Sequence, residues 1–342
     1  MRFPSTIYLI TRTHGRRIHL LTSEDMRVMA KSKSLSEVVD QLLRSDYAGE
    51  VSKLPTGEVD SVRLEKIFLG TLVERFFTLM RDSKGNARDF IEAYAARLEV
   101  ENLKRILRAK HVQEKIEDRN LIPLGREHTL INFQALTKAE NVDEAVSLLR
   151  ETVYASVSDR LDDYRRVGSP IVLESFLDSL YFARVWERMG GLVDNEGIKW
   201  LVGEEADLRN LQLVFTYKMR EVPPRLVEEI VIPTFYRLRR GILRSLAQGR
   251  LEDTPEILAG TSYDDVAEEI VRSREPAIDL ETILSKRLYK DASFALRNLF
   301  LELGYVVAYL LLCEREAGNL ITLTTALDLK VPEEDFQRRL LL

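Results

Sequence analysis

The chain has 342 residues, 45% hydrophobic and 31% charged, a composition that excludes intrinsic disorder and leaves room for two or three domains with their own cores. Fifty basic residues against 55 acidic give a net charge of -5, which argues against general nucleic-acid binding. Glycine (16) and proline (10) are too scarce for a turn-rich β fold, and the single Cys313 excludes an intrachain disulfide and fits a reducing compartment.

In chain order, residues 5–22 read as a first helix with a break at Gly15, and Thr22 or Ser23 reads as the N-cap of the next. Ser34 or Ser36 caps a segment striped by Val38, Val39, Leu42 and Leu43; Pro55-Thr56-Gly57 is a turn. Two longer helices are expected over 61–80 and 87–110, and Pro123-Leu124-Gly125 closes this part. A helix over 142–162, one over 171–190 after Gly168-Ser169-Pro170, and one over 204–220 follow. No segment alternates as a strand does, so the fold class is all-α. The longest apolar run, Leu303–Cys313, covers 11 residues where a membrane span needs about 20. The first residues also lack a long apolar core, so neither a signal peptide nor a transmembrane helix is expected.

Within 97–110, Leu98, Asn102 and Ile106 share one helical stripe, and Asn102 is its one polar member. Asparagine disfavours helix interiors, and a buried amide without partners costs about 1–3 kcal/mol. The same Asn-Leu pair returns at Asn210-Leu211 and Asn319-Leu320, with steps of 108 and 109 residues. Tyr47, Tyr154 and Tyr263 keep the same register. Each has a leucine five residues before it (Leu42, Leu149, Leu258), and each is followed by a Leu-Glu pair (Leu64-Glu65, Leu173-Glu174, Leu280-Glu281). The spacing predicts three similar helical domains, 1–126, 127–235 and 236–342, related by pseudo-threefold symmetry. Asn102, Asn210 and Asn319 with the three tyrosines are the expected repeat-junction residues.

Reactive chemistry is hard to find. There is no G-x-x-x-x-G-K-[ST] or G-x-G-x-x-G loop, and His14, His19, His111 and His128 form no metal-binding spacing. No catalytic residue, cofactor or metal is assigned, and Cys313 reads as a packed core thiol. Asp264, Asp265 and Glu268 could place carboxylates on one helix face for Mg²⁺, which keeps a Mg-dependent all-α enzyme open beside a generic helical adaptor. Arg237, Arg240 and Arg244 fall at i, i+3 and i+7 in a segment without acids; they suit a solvated face or an acidic protein partner. Glu101, Arg105 and Arg108 are the other candidate partner contacts.

The motifs together resemble the C/d subunit family of rotary V-type and archaeal A-type ATPases. The resemblance rests on Tyr8, Arg12, Arg16 and Arg17; Ser23-Glu24-Asp25; Leu42-x-x-x-x-Tyr47; and above all Glu99-x-Glu101-Asn102-Leu103-Lys104-x-x-Leu107-Arg108-Ala109-Lys110. Ile122-Pro123-Leu124-Gly125, Leu148-Leu149-Arg150-x-Thr152-x-Tyr154, Tyr181-Phe182 and Glu314-x-Glu316-x-Gly318-Asn319-Leu320 extend it to about Arg338. The second copy, with Phe215 and Lys218, and the third, with Ile321-Thr322, depart from the basic pattern after Asn-Leu. The resemblance implies a funnel-shaped, non-catalytic rotor subunit, peripheral on the cytoplasmic face of a membrane. Its implied partners are the membrane rotor ring and the central shaft of the same complex, with no nucleotide bound directly and no nucleic acid.

Overall fold

A computed structural model describes residues 4–55, 59–220, 222–273 and 276–342; Thr56 and Gly57 of the expected turn lie outside these. All regular structure among the described residues is helical. Two compact units emerge, one formed by Met1–Ile91 with Tyr289–Leu342, the other by Glu92–Leu288.

The first unit is built on the helices Ser61–Asp82 and Gly304–Asp328, which pack along each other and against Pro4–Arg17. Ser61–Asp82 starts where the Asp60 carboxylate accepts from the Arg63 N–H, and it buries Phe68, Phe76 and Leu79 completely. The apolar run belongs to Gly304–Asp328, whose Tyr305, Tyr309, Leu310 and Cys313 are all buried. A helix apolar on every side suits a core position. Among the described residues no helix is long and apolar enough to cross a membrane.

In the second unit Arg97–His111 and Glu196–Met219 both pack on Ile171–Gly190. Gly168, in the left-handed conformation (φ 67°), ends Leu161–Val167 and turns the chain at Pro170 into Ile171–Gly190. Its shorter helices include Pro224–Ile230, Arg240–Gln248, Thr254–Leu258 and Asp264–Arg272.

Four expectations change. Pro4–Arg17 runs through Gly15 without a break. The helix expected over 87–110 divides into Asn86–Ala95 and Arg97–His111 at Ala96, where no glycine or proline announces it. The helix expected over 204–220 begins earlier, at Glu196. The helix expected over 142–162 is interrupted after Ser147, because the Thr152 hydroxyl donates to the Leu149 carbonyl and accepts from the Tyr154 N–H. A side chain that satisfies the backbone locally replaces the helical ladder.

Candidate functional site

The three asparagines make one and the same junction. Asn102 Nδ2 donates to the Ile122 carbonyl (2.9 Å) while its Oδ1 accepts from the Ile122 N–H (2.7 Å). Asn210 does this with Ile232 (3.1 and 2.8 Å), and Asn319 with Leu341 (3.1 and 2.8 Å). All three amides are buried. Only an amide offers a donor and an acceptor side by side, so it alone pairs both polar groups of one residue in a segment outside the helix. That explains a poor helix former in each helix.

Three residues before each asparagine stands an acid that receives a tyrosine. Tyr154 Oη donates to Glu99 (2.9 Å), Tyr263 Oη to Asp207 (2.9 Å), and Tyr47 Oη to Glu316 (2.7 Å). Two residues before each tyrosine a hydroxyl shapes its turn. Ser45, Thr152 and Thr261 donate to Leu42, Leu149 and Leu258, and accept from the N–H of Tyr47, Tyr154 and Tyr263. Eight residues after two of the asparagines a lysine ties down a following segment: Lys110 Nζ donates to the Thr137 carbonyl, and Lys218 Nζ to those of Leu246 and Gly249. The hydroxyls and acids recur at nearly fixed offsets in the sequence, so a signal for them exists beside that of the asparagines, tyrosines and leucines.

The acids are more heavily engaged than a lone tyrosine bond requires. Glu316 also accepts from Arg75 (2.7 Å) and from the Leu21 N–H (2.5 Å). Asp207 accepts the N–H groups of Tyr236, Arg237 and Leu238. Gly203, one turn before Asp207, clears space for Tyr236: a methyl group there would fall 2.5 Å from the ring. Burial raises the Asp207 carboxyl against the pull of these donors, and pushes the Cys313 thiol up to about 12.

Burial, reinforced by the facing carboxylates Glu316, Glu99 and Asp207, holds the Tyr47, Tyr154 and Tyr263 phenols well above their ordinary value of 10. A phenol whose folded pKa exceeds its unfolded one keeps its proton in the fold. Its contribution is therefore complete below pH ~10 and is lost as pH rises beyond that. In an alkaline ultraviolet titration these phenols are expected to ionise only in a cooperative step together with loss of helical circular dichroism. Smooth titration of all 12 tyrosines near pH 10 with helicity retained would contradict the pairing.

The candidate partner residues are not gathered in one place. Arg105 bonds to Glu101 and to the Asn120 carbonyl, and Arg108 forks onto Glu174 (2.9 and 2.6 Å). Arg244 pairs with Glu228 at 3.0 Å. Arg237 precedes the helix that opens at Arg240, so the expected single face of Arg237, Arg240 and Arg244 does not form. Pairs that no sequence pattern announces include the buried Lys104 with Asp178 and the part-buried Arg97 with Glu205. Asp265 is held through both oxygens by Arg287, and Glu268 by Arg272. A cation sitting on these carboxylates would have to displace an arginine first. Among the described residues no group of three or more histidine, cysteine or acidic side chains could hold a metal.

Fold and junctions together define a helical protein whose buried polar groups fasten segments to one another. The model of the ATP synthase (C/AC39) subunit family matches residues 9–339, and the chain belongs to that family. It is 26% identical to the C subunit of the A-type ATP synthase of Methanocaldococcus jannaschii, over 92% of this chain and 80% of that relative. With the corresponding A-type ATP synthase protein of Archaeoglobus fulgidus it shares 23% identity over 98% of this chain and 96% of the relative. With that of Pyrococcus horikoshii the identity is 25%, over 91% and 82%.

Proposed function

We propose that the chain is a non-catalytic central-stalk subunit of an A-type ATP synthase, a socket joining the central shaft to the membrane rotor ring. In that place it couples ATP synthesis or hydrolysis to ion translocation, as a peripheral protein on the cytoplasmic face of the membrane. The observation that carries this reading is the family match across residues 9–339, with A-type ATP synthase relatives aligned over nearly the whole chain. Three similar units, 1–126, 127–235 and 236–342, about a pseudo-threefold axis belong to the same proposal. The three asparagine junctions and three tyrosine–acid pairs support it.

A socket under torque has to resist deformation, and this chain's polar chemistry suits that task. Paired amides and ion-paired acids tie non-helical segments to long helices, at sites where loss of one partner leaves another buried group unsatisfied. The Mg²⁺-dependent enzyme reading has two of its three carboxylates, Asp265 and Glu268, ion-paired with Arg287 and Arg272. The test is to remove the chain from the complex and read ATP hydrolysis and ion pumping separately. Hydrolysis is expected to survive and pumping to be lost.

A further inference from the structure

Arg237, Arg239, Arg240 and Arg244 are all exposed, and no acid occurs between Tyr236 and Arg250. Two of them are engaged: Arg244 with Glu228, and Arg237 over the Tyr236 ring with a bond to Ser262. The guanidinium groups of Arg239 and Arg240 have no hydrogen-bond or ion-pair partner among the described residues. They open the helix Arg240–Gln248, whose cap position is held by Arg239 in extended conformation (φ −104°, ψ 150°) with no side-chain cap bond. Its first-turn N–H groups therefore add positive potential to two unneutralised guanidinium groups.

Next to this rim lies a cavity of about 230 Å³, lined by Val172, Phe176, Leu226, Val231 and Pro233, with Arg240 at its edge. The other charges that line it are paired, Glu228 with Arg244 among them. Arg160 and Arg166 pair with Asp163, and Arg166 also with Glu229. Small-molecule sites usually enclose about 300–1,000 Å³, so this cavity suits a single protein side chain better than a metabolite. The unbalanced charge at its mouth is positive, and it selects for carboxylates.

We propose that this face docks an acidic peptide segment of another subunit of the assembly. One apolar side chain of that segment sits in the cavity, and its carboxylates lie over Arg239, Arg240 and the helix N-terminus. The proposal rests on the reading of the chain as a subunit of an ATP synthase.

Gly241 is exposed, with nothing within 4 Å of an added Cβ, so it is a suitable place for a photoreactive p-benzoylphenylalanine. Irradiation of the purified complex is expected to cross-link this position to one Asp/Glu-rich segment of another subunit, identified by mass spectrometry. Arg239→Glu with Arg240→Glu should lower the yield about ten-fold, and reversal of the acids in the captured segment to lysine should restore it. Both arginines are exposed, so the melting temperature of the variant should match that of the parent. Cross-links confined to this chain, to lipid, or to a segment without acids would overturn the proposal, as would an unchanged yield in the double reversal. If the unaltered chain purifies without any other subunit, the functional reading falls and the docking face with it. If it purifies with them and the cross-link fails, the docking face alone falls.

Discussion

Glu316→Gln is expected to destabilise the unit formed by residues 1–91 and 289–342 by about 3–5 kcal/mol, the usual cost of breaking a buried ion pair from one side. The carboxylate is 3% exposed and serves three donors at once: the Arg75 guanidinium, the Tyr47 phenol and the Leu21 N–H. Glutamine has the same shape, but it supplies one acceptor oxygen and no charge, so Arg75, itself 7% exposed, keeps only the exposed Asp46 carboxylate at 3.7 Å. The double variant Arg75→Met with Glu316→Leu should recover only part of the loss, since it removes both desolvated charges together but leaves the Tyr47 phenol and the Leu21 N–H without their acceptor. Urea denaturation of the purified chain measures both. A loss under about 1 kcal/mol in Glu316→Gln would mean that Asp46 alone suffices for Arg75, and the pair with Glu316 would not be the tie described here.

The second large effect lies at the asparagine junctions. Asn102→Leu fills the space but leaves the Ile122 N–H and carbonyl without partners, and two buried groups at about 1–3 kcal/mol each predict a loss of about 2–6 kcal/mol. Asn102→Asp separates the two halves of the interaction. It still accepts from the Ile122 N–H, but it sets a carboxylate oxygen against the Ile122 carbonyl, so it should cost no less than leucine at neutral pH. Its deficit should shrink in acid, where the protonated carboxyl regains a donor. Hydrogen exchange at Ile122 reports the junction directly, with faster exchange expected in Asn102→Leu. The same substitution at Asn210 should release Ile232, and at Asn319 Leu341. If the three differ widely, the shared geometry does not carry a shared energetic role.

The parts of this architecture visible in the sequence are those where one residue type recurs at one spacing. Asn102, Asn210 and Asn319 stand out because an amide on an apolar helical stripe is costly enough to need a cause. Tyr47, Tyr154 and Tyr263 stand out as large side chains at the same period. What they touch is not legible there. The acid facing each tyrosine is glutamate in two copies and aspartate in the third, and Tyr47 meets its acid 269 residues further along the chain. Pairing over such distances depends on how the helices pack, and a single sequence does not state that. The same holds for Lys104 with Asp178, 74 residues apart, where each residue alone reads as surface charge.

Local errors have local causes. The break at Ala96 has no glycine or proline to mark it, and the apolar stripe continues across it. Around Tyr154 helical periodicity persists, while the Thr152 hydroxyl diverts the backbone into a turn. Spacing alone places Arg237, Arg240 and Arg244 on one helix face. The backbone N–H groups of Tyr236, Arg237 and Leu238 instead converge on Asp207, which keeps that stretch out of the helix. A buried carboxylate with several amides to satisfy outweighs the propensity of three residues.

The central claim is that this chain transmits motion and performs no chemistry of its own. It is tested most directly in vesicles carrying the intact ATP synthase, by measuring ions translocated per ATP hydrolysed with the chain present and with it stripped away, then restored. Hydrolysis should continue when the chain is absent, while the ratio falls to background and returns on adding the purified chain back. A ratio that stays unchanged without the chain would contradict the account.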